Sequence, residues 1–222
     1  MNLSPSKAFE GNEDIEEFPL GLSFWRETWA SAKSMSSDTA EESMLIENWQ
    51  DFKRRCHVRE RTRILVPLCG ASPAVTHFLR HGCQVTAVDI VDQAIEIQRE
   101  KIKPVHAATE RATLICGDFF QEDLGAPFEI IYDRGALIAV APDLRATYLN
   151  KLDDMLIPRG YINLKIFHSP DSSQSGPPFP VELSEVLRSL AGYSVQFHLS
   201  KEITNSAGDL VTLETILLQK PA

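Results

Sequence analysis

The sequence predicts an α/β fold: a seven-stranded, mostly parallel, doubly wound sheet of Rossmann-like type, ending in an antiparallel C-terminal hairpin. Three observations carry this. The apolar run Ile64-Leu65-Val66-Pro67-Leu68-Cys69 breaks at Gly70, a helix-like segment follows, and a second run, Val85-Thr86-Ala87-Val88, ends on Asp89. Strand, glycine turn, helix and acid-tipped strand make a nucleotide-binding half-fold. The run at 128–132 is apolar but for Glu129, as suits a strand covered on both faces. Finally, two strand-like runs at 195–203 and 210–218 flank a turn between Asn205 and Gly208, which makes the last strand antiparallel to an otherwise parallel sheet.

Each element has a local reason. Trp25 and Trp29 lie four apart and share a helix face. A serine-rich loop at 31–39 separates them from a helix over 40–56, with Met44, Leu45, Trp49 and Phe52 on one stripe. The first strand covers 63–67. Ser72 then Pro73 reads as an N-cap followed by proline at the first helical position. Val75, Phe78 and Leu79 form the buried stripe, and Gly82 stops that helix. The second strand is 84–89. Asp92 is suited to cap the next helix, which carries Ile95 and Gln98 and ends before Pro104. Strands follow at 112–116 and 128–132. Pro142 and Asp143 open a helix with Leu144, Tyr148, Leu152, Met155 and Leu156 at helical spacing; Pro158 and Gly160 stop it. A fifth strand covers 161–167. A loop at 168–180 holds four prolines, the kind of loop that covers a site. A short amphipathic helix at 181–191 precedes the hairpin.

The chain has 222 residues, enough for one α/β domain with a substantial core. Residues 1–22 are polar and acidic (Glu10, Glu13, Asp14, Glu16, Glu17) and read as a mobile tail, not a signal peptide. Residues 23–222 read as a single domain, with 23–60 as N-terminal lid helices. Net charge is −9, which disfavours a nucleic-acid partner. No apolar run approaches the roughly 20 residues that span a bilayer. The four cysteines, Cys56, Cys69, Cys83 and Cys116, form no CxxC pair, so neither a metal site nor a disulfide framework is expected. A reducing, cytoplasmic setting and a monomer are the expectations.

Asp89 falls 19 residues after Gly70, close to the roughly 20-residue spacing of an acid that holds ribose hydroxyls. A nucleoside-bearing cofactor is therefore expected. GxxxxGK[ST] and GxGxxG are both absent, and one glycine makes a poor pyrophosphate cradle. S-adenosylmethionine carries no phosphate and suits what is present: Gly70 for backbone approach, Asp89 for the ribose, and Gly117-Asp118-Phe119 after the third strand, where adenine would lie. A nicotinamide-dependent oxidoreductase and a non-catalytic binding module of the same fold are the rival readings.

Leu65-Val66-Pro67-Leu68-Cys69-Gly70, Gly117-Asp118-Phe119-Phe120, Tyr132-Asp133-Arg134-Gly135-Ala136-Leu137 and Gly176-Pro177-Pro178-Phe179 occur in one order, behind Trp25 and Trp29. This ordered set resembles the thiopurine S-methyltransferase family and, more distantly, thiol and halide methyltransferases. The resemblance covers about Phe24 to the C-terminus. It implies a class I methyltransferase fold, S-adenosylmethionine as methyl donor and a small thiol as acceptor, with another soft nucleophile (a halide, selenium or tellurium species) as the alternative. It further implies that Trp29, Leu68, Asp89, Asp118, Phe119 and Arg134 line the cofactor site, with Gly70 and Gly117 contributing backbone. Trp25, Met35, Arg134 and Phe179 would border the acceptor, with Arg134 the catalytic candidate. Two departures stand out. The family's aromatic shortly beyond the second tryptophan is replaced by Ser34-Met35-Ser36-Ser37, which argues against a flat thiopurine as the physiological acceptor. Asp89 stands where many members carry Glu. For Arg134 an ion pair with Asp133 or Asp143 is the structural alternative, and His168, beside the proline-rich loop, is a candidate base.

Overall fold

The computed structural model describes residues 21–31, 48–125, 127–169, 176–204, 208 and 210–222. Helices α1 (Leu22–Ser31) and α2 (Trp49–Arg55) precede the sheet. Strands β1 (Arg63–Val66), β2 (Gln84–Asp89), β3 (Ala112–Cys116), β4 (Phe128–Arg134), β5 (Leu156–His168), β6 (Ser194–Thr204) and β7 (Leu210–Gln219) form one sheet in the order β3-β2-β1-β4-β5-β7-β6. The pairs among β1 to β5 are parallel, while β7 runs antiparallel to both β5 and β6. This is the expected mixed sheet with its antiparallel hairpin.

Helices cover both faces, because alternate strand residues are apolar on each side. On one face Ile64, Val66, Val85, Ala87 and Ile130 pack against Trp49 of α2, Phe78 and Leu79 of α3 (Ala74–Arg80), and Ile95 and Ile102 of α4 (Asp92–Ile102). On the other, Leu65, Val88, Ile131, Ile162 and Leu164 meet Tyr148, Leu149 and Leu152 of α5 (Arg145–Met155) and Val186 of α6 (Leu183–Ser189). Among the described residues no helix is long and apolar enough to cross a membrane.

Four local expectations are corrected. The helix expected to run into Leu156 stops at Met155, and β5 begins at once, so Pro158 and Gly160 sit inside a strand. The ladder jumps from Phe128↔Leu156 to Ile130↔Tyr161, and Arg159 takes φ +62°. The extra residues bulge out of register, which spares Pro158 a ladder donor it lacks. Asp92 does not cap α4: the helix starts at Asp92 itself and has no side-chain cap bond. The short helix before the hairpin covers only 183–189, with Glu182 at its N-cap position. Of the helix expected over 40–56, Trp49–Arg55 is seen; Met44, Leu45 and the predicted acceptor residue Met35 lie outside the described residues.

Candidate functional site

A cleft of about 670 Å³, counted out to its open mouth, lies at the carboxyl edge of the sheet. Its walls come from five segments: Gly21 and Trp25 of the α1 region, Leu68 after β1, Asp89 and Ile90 at the end of β2, Gly117 to Phe120 after β3, and Ala139 to Ala141 with Leu144 after β4. An open α/β sheet binds ligands at this edge.

The turn after β1 is strained and then clamped. Leu68 and Gly70 take φ +42° and +49°, a conformation that only glycine adopts without cost. The Cys69 N–H donates to the Val88 carbonyl at 2.9 Å. From α4, Gln98 Nε2 donates to the carbonyls of Gly70 (2.8 Å) and Ser72 (2.9 Å), and Lys101 Nζ to that of Ala71 (2.7 Å). Gln98 is fully buried to make these bonds. The Ser72 hydroxyl accepts the Ala74 N–H at 3.3 Å, but Ser72 is not the N-cap expected of it: α3 begins at Ala74, with Pro73 in the cap position and no side-chain cap bond. Trp29 lies over this turn: a Cβ added to Gly70 would meet its ring at 3.4 Å.

Asp89 ties the turn to the cleft. Its Oδ2 accepts the Gly70 N–H at 2.8 Å, and Oδ1 accepts the Val91 N–H at 2.9 Å. Burial raises its pKa above the usual carboxylate range, opposed by the N–H groups of Val91, Gly70 and Ile90. A carboxylate has about four acceptor positions, and these N–H groups leave part of that capacity open. At Gly117 an added Cβ would lie 2.1 Å from the Glu122 carboxylate, so a larger residue there would have to push that side chain aside. The Gly117 N–H donates to the Asp89 carbonyl at 3.0 Å, and Asp118 Oδ1 accepts the Phe120 N–H at 2.9 Å.

The loop after β4 hangs on Asp133. This carboxylate is wholly buried and accepts the N–H groups of Ala136 (2.9 Å) and Leu137 (3.2 Å) and the Tyr148 hydroxyl (2.8 Å). Burial pushes its pKa up to about 6, against the pull of those three donors. Asp133 thus faces α5. Arg134, the next residue in the strand, faces the opposite side, beside Lys165 of β5. The Phe179 N–H donates to the Ile138 carbonyl at 2.7 Å, which fastens the segment after β5 to the same loop. His168 is paired with Glu182 at 2.5 Å.

The cleft brings together Trp25, Leu68, Asp89, Gly117, Asp118 and Phe119. Trp29 joins them through Gly70, while Arg134 and Phe179 are not among the residues that line the cleft. Sequence reasoning missed Asp133 and Gln98 as organisers of the two loops. Gln98 had a signal, a polar residue three positions after Ile95 on a buried stripe. Asp133 had none, because its partners are set by how α5 docks.

The strand order, the reversed last strand and a cleft over the tips of β1, β2 and β3 define a class I S-adenosylmethionine-dependent methyltransferase. Solved structures share the fold. The N-methyltransferase NodS from Bradyrhizobium japonicum, in complex with S-adenosylhomocysteine, matches with TM-score 0.69 at 15% identity, over 90% of this chain and 98% of that one. The 1,6-didemethyltoxoflavin-N1-methyltransferase of Burkholderia thailandensis, with bound S-adenosylhomocysteine, matches with TM-score 0.65 at 21% identity, over 90% and 87%. The family model for thiopurine S-methyltransferase (TPMT) matches residues 20–209, and the chain belongs to that family. Among its relatives, the thiopurine S-methyltransferase of Pseudomonas fluorescens is 33% identical over 178 residues, 73% of this chain and 78% of that protein. The enzyme of the same name from Vibrio parahaemolyticus is 28% identical over 183 residues, 78% and 82%.

The chain's own residues fit the nucleoside donor. Asp89 lines the cleft with acceptor capacity left, and Gly117 brings its backbone to the wall beside it.

Proposed function

We propose that this enzyme methylates the sulfur of a small thiol. The reading is carried by Arg134, a cation at the carboxyl end of β4, within the ordered motif set of the family. The names of the relatives support sulfur as the acceptor atom. In this reading Asp89 accepts the ribose hydroxyls, and Asp118 and Phe119 border the adenine. Leu68, Gly70, Gly117 and Trp29 enclose the remainder, and Trp25, Met35 and Phe179 border the acceptor. S-adenosylmethionine, when bound, supplies an electrophilic methyl on a sulfonium, which passes in line to the acceptor sulfur.

A free thiol has a pKa near about 8.5 and is only partly ionised at neutral pH. A guanidinium beside it favours the thiolate, and the released proton goes to solvent. Arg134 therefore belongs on the acceptor side, where it does not oppose the sulfonium. Joining thiolate and sulfonium removes charge, so a cleft walled by Trp25, Leu68, Phe119 and Val140 favours the transition state by excluding water. Holding the two sulfurs and the methyl in line contributes more.

A panel of thiols, halides and selenite with isotopically labelled donor tests the reading, with methylated products read by mass spectrometry. Methylated thiols are expected; label on halide or selenium alone overturns the thiol assignment. Arg134→Ala is expected to lower thiol turnover about 100-fold, the scale for removing one charge-stabilising group. S-adenosylhomocysteine affinity, measured by calorimetry, should barely change. Equal losses in both make Arg134 a scaffold residue.

A further inference from the structure

We infer that Lys151 of α5 is a positioning residue for the methyl donor: it holds the turn after β3 in the geometry that tells adenine from other purines. This rests on the reading above that sets adenine against Asp118 and Phe119. Residues 118–122 close one tight turn. The Asp118 carbonyl accepts the N–H groups of Gln121 (3.0 Å) and Glu122 (2.9 Å), and Asp118 Oδ1 accepts that of Phe120 (2.9 Å). Among the described residues, no backbone carbonyl accepts from the N–H groups of Asp118 and Phe119, and both residues line the cleft. The turn thus keeps N–H donors at its cleft end and carbonyls at the other, as a helix does at its two ends.

Lys151 takes the carbonyl end. Its Nζ donates to the carbonyls of Phe120 (3.0 Å) and Glu122 (3.2 Å) and stands 5.3 Å from the centre of the Phe119 ring. Tyr148, one turn earlier on α5, packs on the same ring at 5.0 Å. One ammonium therefore grips the turn at three points, two of them on residues of the cleft wall. Fixing a lysine gives up more rotamer freedom than fixing most side chains, and water could serve carbonyls that are only half-buried. What water cannot do is fix the turn against α5.

The second Asp118 oxygen is an acceptor and the Phe119 N–H a donor. They complement the amine and the ring nitrogen on one edge of adenine. Hypoxanthine reverses that pair, presenting a carbonyl and a ring N–H. Such a match survives only while its groups stay within about 0.5 Å of place, which is what the Lys151 clamp secures.

Calorimetry with S-adenosylhomocysteine and its hypoxanthine counterpart, S-inosylhomocysteine, tests this on wild type, Lys151→Met, Lys151→Arg and Asp118→Ala. Wild type is expected to prefer the adenine ligand by about tenfold or more, the span of one charged hydrogen bond. Lys151→Met keeps an apolar stem beside Phe119 and loses the ammonium. It should weaken S-adenosylhomocysteine by about fivefold or more and S-inosylhomocysteine by less than about twofold, so that the preference shrinks. Lys151→Arg should retain most of the preference. A general loosening of the fold weakens both ligands alike, so equal loss on both, or an unchanged preference in Lys151→Met, overturns the inference. Preference lost in Asp118→Ala but kept in Lys151→Met removes Lys151 alone and leaves the adenine placement standing. A wild type without preference removes both. Thermal denaturation checks folding, and Lys151→Gln replaces Lys151→Met if the latter does not fold. If neither folds, Lys151 belongs to the fold itself and the inference fails.

Discussion

Asp133→Ala is expected to cost about 3–5 kcal/mol of stability, a large part of the roughly 5–15 kcal/mol that holds a domain folded. The carboxylate is fully buried, and its loss strands the Ala136 and Leu137 N–H groups and the Tyr148 hydroxyl without an acceptor. Each stranded donor costs on the order of 1–3 kcal/mol, less whatever relaxation recovers. The loop carrying Ala139 to Ala141 loses its anchor at the same time, so cofactor binding should fall with stability. Urea denaturation and calorimetry read the two effects; a variant within about 1 kcal/mol of wild type rejects the anchoring role. Asp133→Asn keeps an acceptor and removes the titration. The folded pKa of Asp133, about 6, lies above its ordinary 3.8. Its stabilising contribution is therefore complete below about pH 4 and is lost as pH rises through about 6, by roughly 3 kcal/mol in all. The advantage of wild type over Asp133→Asn should be largest near pH 4 and shrink toward pH 7. A constant difference across that window excludes Asp133 as the titrating group.

Asp89→Ala is expected to weaken S-adenosylhomocysteine binding by about 1.5–3 kcal/mol, roughly 10-fold to over 100-fold. Two contributions combine. In the proposed reading the ribose hydroxyls lose an acceptor, and the Gly70 and Val91 N–H groups lose the oxygens at 2.8 and 2.9 Å. Asp89→Asn separates them. Its amide oxygen still serves Val91, but its NH₂ opposes the Gly70 N–H, so the turn after β1 loosens while the residue keeps its size. Calorimetry alongside thermal denaturation should show Asn nearer to Ala than to wild type in affinity. Unchanged affinity in both variants removes Asp89 from the cofactor site.

Much of the fold was legible because its signals are local. The run 64–68, its glycine, the stripe of Val75, Phe78 and Leu79, and the acid at the tip of the next strand each report a backbone preference. The reading failed where two local signals competed. Pro158 and Gly160 looked like helix stops, yet α5 had already ended at Met155, and both residues belong to a bulge in β5. A strand tolerates them only because the chain leaves the ladder there, and no short window of sequence reports which residues leave a ladder.

The sequence by itself determined the doubly wound class, the acid and glycine at the carboxyl ends of the first strands, and the membership of the ordered motifs in one family. Only the tertiary structure decided that Gln98 clamps the turn after β1, that Asp133 hangs the loop after β4 from Tyr148, and that Arg134 and Lys165 stand side by side on one face. The reason is range. A glycine's positive φ or an apolar period is set by residues within a few positions, whereas a buried polar group takes its role from partners that meet it only after distant segments pack. Those partners are 28, 15 and 31 positions away along the chain.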